Sequence, residues 1–377
     1  MGLYAPPPYR NSLTITMLRR YIRDYDYSLL LLTLALIAFG LVMIYSAQPP
    51  DPTTNFFQQQ LIWAALGIGI MIITTAVDYR FVGAWYKLIY VGIVLILAMI
   101  FILGQTAFGA QRWFQILDRQ IQPSEFSKLF LIVTLAKFLS VREGQIKAIF
   151  VSGVIVAIPI VLILLQPNLS TAIVVATIWL TIVIMAGMPL RWLVAFALVC
   201  ALTVPIVWPF VPEYQQDRVT IFLDPFADPS GQGYNLIQSR IAIGGGGLWG
   251  QGYRQGSQNQ LGYLRVRHTD FIFSVIAEEL GFVGCLLLFA LLILFNFRLV
   301  TAIGVAQDPF GRLVVAGVAG WIFFQSFVNI GVNVGVVPPT GVPLPFVSYG
   351  GSNLLTLMLA MGMVQSVVMR QTKFEFN

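Results

Sequence analysis

Charge is scarce in this sequence. Only 10% of its 377 residues are Asp, Glu, Lys or Arg, where a soluble domain carries roughly a quarter. That shortage excludes a chain solvated by water over most of its surface. Histidine is rarer still, with His268 alone, so no histidine-built metal centre is available. The two cysteines, Cys200 and Cys285, both lie inside apolar runs and provide neither a disulfide framework nor a metal cluster. No Lys-containing phosphate loop accompanies the glycines at 244–247. No soluble domain, low-complexity tail or internal repeat is visible. What the sequence has instead is 58% hydrophobic residues and a mean hydropathy of +0.81, the composition of a chain dissolved in lipid. The formal charge of +6 then reads as Lys and Arg retained near anionic lipid, not as a nucleic-acid footprint.

Apolar runs occupy 28–47, 57–77, 84–104, 125–141, 147–165, 168–187, 190–212, 270–298, 311–337 and 346–370. About 20 residues cross a bilayer as a helix, and a helix satisfies its own backbone in lipid. The expectation is an all-α integral membrane protein of about ten transmembrane helices. The fourth is the poorest, since it carries Glu125, Lys128 and Lys137. The first run is too long and too poorly flanked for a cleaved signal peptide. The expected organisation is an N-terminal segment 1–27, one membrane domain 28–371 and a tail 372–377. Segment 213–269 forms a large loop between helices 7 and 8.

Charge orients these helices. With the N-terminus inside, inner segments hold Arg10, Arg19, Arg20, Arg23, Arg80, Lys87, Arg142, Lys147, Arg191, Arg298, Arg312, Arg370 and Lys373. Outer loops 48–56 and 338–345 hold no Lys or Arg, and 105–124 holds only Arg112 and Arg119. Both termini are therefore expected in the cytoplasm, with 213–269 outside. Within that loop, 234–243 suggests a short helix at the membrane surface. The four glycines after it suggest a sharp change of direction.

Ionisable groups at the ends of apolar runs are the candidate functional residues, because a charge at the bilayer centre costs roughly 2.5–3.5 kcal/mol and seeks a cavity or a partner. Asp270 opens the eighth helix, where it reads either as a cap or as a functional carboxylate. Glu125 and Lys128 share a helix face and read either as a structural ion pair or as the lining of a polar cavity. Glu278 and Glu279 cannot both face lipid, so at least one is expected to meet a polar lumen or a partner. His268 more often reads as a structural group than as a base. The Pro-rich run 336–345, ahead of Ser348-Tyr349-Gly350-Gly351-Ser352, cannot be a regular helix and suggests a loop beside a cavity.

Together these segments resemble the SEDS family (shape, elongation, division and sporulation). The matching stretches are Gly109-Ala110-Gln111-Arg112-Trp113, Gln122-Pro123-Ser124-Glu125 with Lys128, and Gln166-Pro167-Asn168-Leu169-Ser170-Thr171-Ala172. Gly233 to Gly247, Gly256 to Gly262, His268-Thr269-Asp270-Phe271-Ile272-Phe273, Glu278-Glu279-Leu280-Gly281 and Leu344 to Ser352 follow in family order. Two positions depart from the family pattern: Asn168 stands where an acidic residue is usual, and Arg265 where Pro is common.

The resemblance implies a peptidoglycan glycosyltransferase in the bacterial cytoplasmic membrane that polymerises lipid II on the outer side. It also implies a class B penicillin-binding protein as transpeptidase partner. The 256–262 and 237–243 segments favour the elongation branch over the division branch. Asp270 would be the general base for an inverting displacement of polyprenyl pyrophosphate. Positive charge for the pyrophosphate would come from Arg218 and Lys128 first, then Arg112 and Arg240, or from a divalent cation such as Mg or Mn. Glu125 would hold Lys128. Trp113, Gln122, His268, Ser348 and Tyr349 complete the expected substrate-binding set. A flippase for the same precursor, or a proton-coupled transporter using Asp270, Glu125 and Glu278 as relay carboxylates, are the alternative readings.

Overall fold

A computed structural model of the chain describes residues 23–49, 55–107, 110–116, 119–231 and 233–370. Part of the expected N-terminal segment, the tail 372–377 and Gly109 of the first motif lie outside the described residues. Among those described, ten long helices correspond one for one to the ten apolar runs. They are α1 Tyr27–Ser46, α2 Phe56–Ala76, α3 Tyr86–Leu103, α4 Pro123–Ser140 and α5 Ile146–Leu165. The set continues with α6 Leu169–Met185, α7 Leu190–Val207, α8 Ile272–Val305, α9 Pro309–Val334 and α10 Gly351–Met369. Eight of these helices are long and apolar enough to cross a membrane. The other two differ for separate reasons. α4 carries three charged side chains, and α6 is 17 residues long.

Local chemistry sets the helix ends. Asp26, Asn55, Asn168 and Asp308 each accept a hydrogen bond from a backbone N–H in the first turn of α1, α2, α6 and α9. Such caps satisfy donors that the helix cannot. α9 occupies the middle of the bundle, packed on α4, α6 and α8, while α10 packs along α2. α7 contributes no buried residue and lies at the periphery.

The two ends of the bundle assemble the loops that strict alternation of span direction groups together. At one end Arg312 pairs with Glu143 at 3.2 Å, Arg80 with Asp308 at 3.5 Å and Arg370 with Asp78 at 3.6 Å. At the other end meet the segments around 105–122, 166–168, 213–271 and 338–350.

Several features of that second end depart from expectation. Segment 105–121 is a small antiparallel sheet, not a plain loop. β1 Gln105–Ala107, β2 Ala110–Ile116 and β3 Arg119–Ile121 lie in that order, with Trp113 opposite Gln105 and Phe114 opposite Ile121. Segment 213–269 contains helices at Glu213–Leu223 and Tyr234–Gly246 and a short one at Ser257–Gln260. The 234–246 helix does not lie alone on a surface. It buries Leu236, Ser239, Ala242 and Gly246 and packs against α8 and α9. Nor does the helix stop at the first glycine: it runs through Gly246 and ends at Gly247, whose φ is +54°. At Gly246 glycine is required because α8 comes so near. A Cβ on Gly246 would lie 1.9 Å from the Ala277 carbonyl oxygen.

α8 is itself broken at Gly281, where φ is +65°. The bonds that Phe282 and Val283 would make to Glu278 and Glu279 in a continuous helix are replaced by bonds to the glycine loop. Phe282 N donates to Gly247 O at 2.9 Å and Val283 N to Leu248 O at 3.2 Å. Gln251 N donates to Glu278 O at 2.9 Å and Gly252 N to Glu279 O at 3.1 Å. The two N–H groups and two carbonyls of these broken bonds all find partners, as backbone groups must at membrane depth.

Candidate active site

Asp270 lies two residues ahead of α8. Phe271 occupies the cap position and makes no side-chain cap bond, so the reading of Asp270 as a helix cap is not borne out. The residue is tethered through its backbone instead. Its carbonyl oxygen accepts from Asn329 Nδ2 at 3.0 Å and from Asn333 Nδ2 at 2.9 Å, both on α9. Its carboxylate is left facing the Pro-rich loop, where a Cβ built on Gly341 would lie 3.6 Å from Oδ2. Burial raises the Asp270 pKa to about 6, against the opposing pull of Arg218. A carboxyl shifted this way is poised between acid and base near neutral pH.

Arg218, from the 213–223 helix, donates to Thr340 O at 3.2 Å and to Pro339 O at 3.5 Å. Arg112, on β2, donates from Nε to Gln166 O at 2.9 Å and from Nη2 to Pro167 O. The two guanidiniums are near enough to depress the Arg112 pKa, after the larger effect of burial. Arg218 thus acts on the Asp270 carboxylate on the one hand and on Arg112 on the other. Gln122 joins this end through the α4 start: its N–H donates to Ser352 Oγ at 3.0 Å and its Nε2 to Ser124 Oγ at 3.0 Å. Asn168, the departure from an acidic residue, caps α6 and donates to Ser124 Oγ at 3.4 Å.

The remaining candidates are placed differently. Lys128 Nζ is 2.6 Å from Glu125 Oε2, and its ammonium sits 4.9 Å from the Trp321 ring centre. Lys128 is buried, so its charge is directed into α9. His268 stacks on Phe56 at 4.0 Å and meets Tyr349 edge-on. Burial, aided by Arg267, lowers its pKa to about 4, so it is a neutral packing group. Ser348 Oγ donates to Thr269 O at 2.6 Å and accepts from Leu344 N at 2.8 Å. Tyr349 N donates to His268 O at 2.9 Å and its hydroxyl to Gln59 Oε1 at 2.6 Å. Ser348 and Tyr349 therefore lock the Pro-rich loop onto the 268–270 segment. Trp113 lies in β2, and Arg240 is exposed with its guanidinium against Gly335 at the C-terminal end of α9, a favourable place for a cation.

Glu278 and Glu279 both find partners. Glu278 accepts from Gln258 N at 2.7 Å, Asn259 N at 3.1 Å and Ser257 Oγ at 3.3 Å. Glu279 accepts from Ser46 Oγ at 2.6 Å, Asn259 Nδ2 at 2.7 Å and Gln260 Nε2 at 3.2 Å. They knit α1, α8 and the 256–260 segment together.

The family model for FtsW, RodA and SpoVE, described as cell cycle protein, matches residues 27–373. The chain belongs to this family. Among FtsW/RodA relatives it is 39% identical over 345 residues to the peptidoglycan glycosyltransferase MrdB of Escherichia coli K12, covering 91% of this chain and 93% of that one. It is 32% identical to the peptidoglycan glycosyltransferase RodA of Treponema pallidum, covering 93% and 99%. Among solved structures it resembles a chain described under structural coordination of polymerization and crosslinking by a peptidoglycan synthase complex. That match has a TM-score of 0.80 and 35% identity, and covers 92% of this chain and 98% of that one. The rod-shape-determining protein RodA of Thermus thermophilus matches with a TM-score of 0.71 at 30% identity, covering 93% and 98%.

For this FtsW/RodA chain, reading the sequence alone passed over Asn329 and Asn333. Their signal was two amides four residues apart inside an apolar run, which places both on one helix face. In the sequence Gly341 carries no signal beyond its place in a Pro-rich loop.

Proposed function

We propose that this chain, a peptidoglycan glycosyltransferase of the FtsW/RodA family, polymerises lipid II into glycan strands during cell elongation, with Asp270 as general base. The acceptor sugar 4-hydroxyl attacks the anomeric carbon of the donor. Asp270 takes the hydroxyl proton, the new C–O bond forms, and the bond from the anomeric carbon to polyprenyl pyrophosphate breaks with its electrons on the leaving oxygen. One displacement inverts the α-linked donor to a β-linked product. Arg218, whose charge acts on Asp270, and Arg112, whose charge acts on Arg218's neighbourhood, supply the positive charge for the departing pyrophosphate in this reading. The buried Lys128–Glu125 pair supports the α4–α9 contact beneath.

The observation that carries this reading is the placing of a half-buried carboxylate, tethered from behind by α9, beside the loop that holds Arg218. Among the described residues no cluster of three His, Cys, Asp or Glu side chains forms a cage for a metal. A divalent cation taking part would add positive charge at the leaving group, held by pyrophosphate oxygens, water and one or two carboxylates, as Mg²⁺ commonly is. The charge asymmetry supports cytoplasmic termini and an extracytoplasmic site. The resemblance and the synthase-complex relative support a class B penicillin-binding protein as partner.

Asp270→Asn tests the base assignment. Because the side chain caps nothing, the variant should fold and insert as the parent does. Its lipid II polymerisation should fall on the order of 10²-fold or more; near-normal polymerisation by well-folded protein removes the assignment.

A further inference from the structure

The amide of Asn329 joins two backbones that share no other side chain of α9. One of its N–H groups reaches Asp270 O at 3.0 Å, and the other reaches Val342 O at 2.8 Å. Val342 follows Gly341, the residue that faces the Asp270 carboxylate, and Thr340, whose carbonyl oxygen receives Arg218. One planar NH₂ group therefore ties the carboxylate segment to that loop at Val342, the part nearest Arg218's carbonyls, while Ser348 and Tyr349 tie it further along. Asn333, one turn later, differs in an informative way. Its Nδ2 also donates to Asp270 O, but its other bonds go to Asn329 O and, through Oδ1, to Ser274 N and Oγ. It steadies Asp270 without touching the loop.

Resting on the reading of Asp270 as general base, we propose that Asn329 is a positioning residue for glycosyl transfer, setting the gap between the Asp270 carboxylate and the loop whose carbonyls anchor Arg218. Asn329 is 1% exposed, so it acts through these two carbonyls and not on substrate. Gly341, at φ +74°, adds no side chain to the gap that Asn329 spaces. Misplacing catalytic groups by about 1 Å can cost on the order of 10²-fold in rate, so an amide that fixes this spacing has a kinetic signature.

The signature has a definite direction. Arg218, on the 213–223 helix, is the charged group that holds the Asp270 pKa down, and His268 on Asp270's own segment is neutral. If the loop shifts, Arg218 loses its anchors on the Thr340 and Pro339 carbonyls, its pull on the carboxylate weakens, and Asp270 ionises at higher pH. The test is lipid II polymerisation by purified, full-length Asn329→Ala and Asn333→Ala proteins between about pH 5 and 8, reported per folded molecule.

Asn329→Ala should lower kcat on the order of tenfold or more with little change in KM, and move the acid limb of the kcat profile upward. Asn333→Ala should leave that limb in place. Asn329→Ser, which keeps a polar group in the cavity, serves where the alanine variant does not fold. An unmoved limb and parental kcat in the Asn329 variants, or equal limb shifts in both alanine variants, overturns the proposal while Asp270→Asn remains inactive. An active Asp270→Asn would instead remove the general-base reading beneath it.

Discussion

Lys128 Nζ lies 2.6 Å from Glu125 Oε2, one turn away on α4, and both side chains are turned towards the protein interior. Water is excluded there, so neither charge can be left alone without penalty. Removing one partner of a buried pair typically costs about 3–5 kcal/mol, much more than the pair itself contributes. Lys128→Ala and Glu125→Ala should each lower the thermal midpoint sharply. The double reversal Glu125→Lys/Lys128→Glu should recover only part of it, because the ammonium would no longer lie over Trp321. Thermal unfolding in detergent checks both, and single variants as stable as the parent would show that the pair is not buried in the working protein.

The pH profile carries a second expectation. A general base works only when ionised, and Asp270 ionises at about 6. Polymerisation should therefore fall away below about pH 6, far above the ordinary aspartate range. Arg218→Ala removes the group that lowers this pKa, so its acid limb should move to higher pH in addition to losing rate. Rates measured across the acid range decide it; a shift to lower pH would show that Arg218 acts elsewhere.

Stability should respond to the same carboxylate in the opposite sense. A group whose folded pKa lies above its unfolded value favours folding while protonated and loses that contribution as pH rises through the folded value. Above about pH 6 the ionised Asp270 is held in a site that disfavours its charge. Asp270→Asn should then melt higher than the parent at pH 8 and differ less from it at pH 5. An equal or lower melting point at pH 8 would contradict the burial of this group.

Glycine substitutions along 244–281 separate two kinds of site. Gly244 has no atom within 4 Å of a would-be Cβ. Gly244→Ala should therefore stabilise by about 0.5–1 kcal/mol, the usual gain inside a helix. Gly246→Ala would press on Ala277 O, and Gly281→Ala on Gly250 N at 2.3 Å with a left-handed backbone besides. Both should be strongly destabilising. Melting temperatures of the three variants test the contrast, which vanishes if α8 and the glycine loop are not in contact.

The ten spans were legible because lipid imposes a length and a composition on each, and even α4 stands out between its neighbours despite three charges. The grouping of loops at the two ends followed from alternation. Harder to read was everything that depends on a second segment coming close. Gly244 to Gly246 are poor helix formers, and at Gly246 only the proximity of α8 makes glycine the fitting residue. Two of the three strands of the 105–121 sheet are only three residues long, too short to show periodicity. At the site, Asp270 was legible as an ionisable residue at the edge of an apolar run, whereas its lack of a capping role needed the cap geometry. Lys128 looked like a phosphate ligand by its charge, and Trp321, which receives that charge, stands almost two hundred residues away. Asn329 and Asn333 gave a helical-face signal, but what that face touches belongs to another part of the chain.

The break at Gly281 bears on how the eighth span comes to exist. Taken alone, residues 272–305 would complete their own ladder and form one straight rod, with Glu278 and Glu279 turned to wherever that rod leaves them. In the native shape the upstream turn at 247–252 takes those ladder positions instead, so an uninterrupted helix is a rival arrangement of the same segment. The eighth span is thus completed by residues that precede it in the chain, and its form belongs to the pair of segments together.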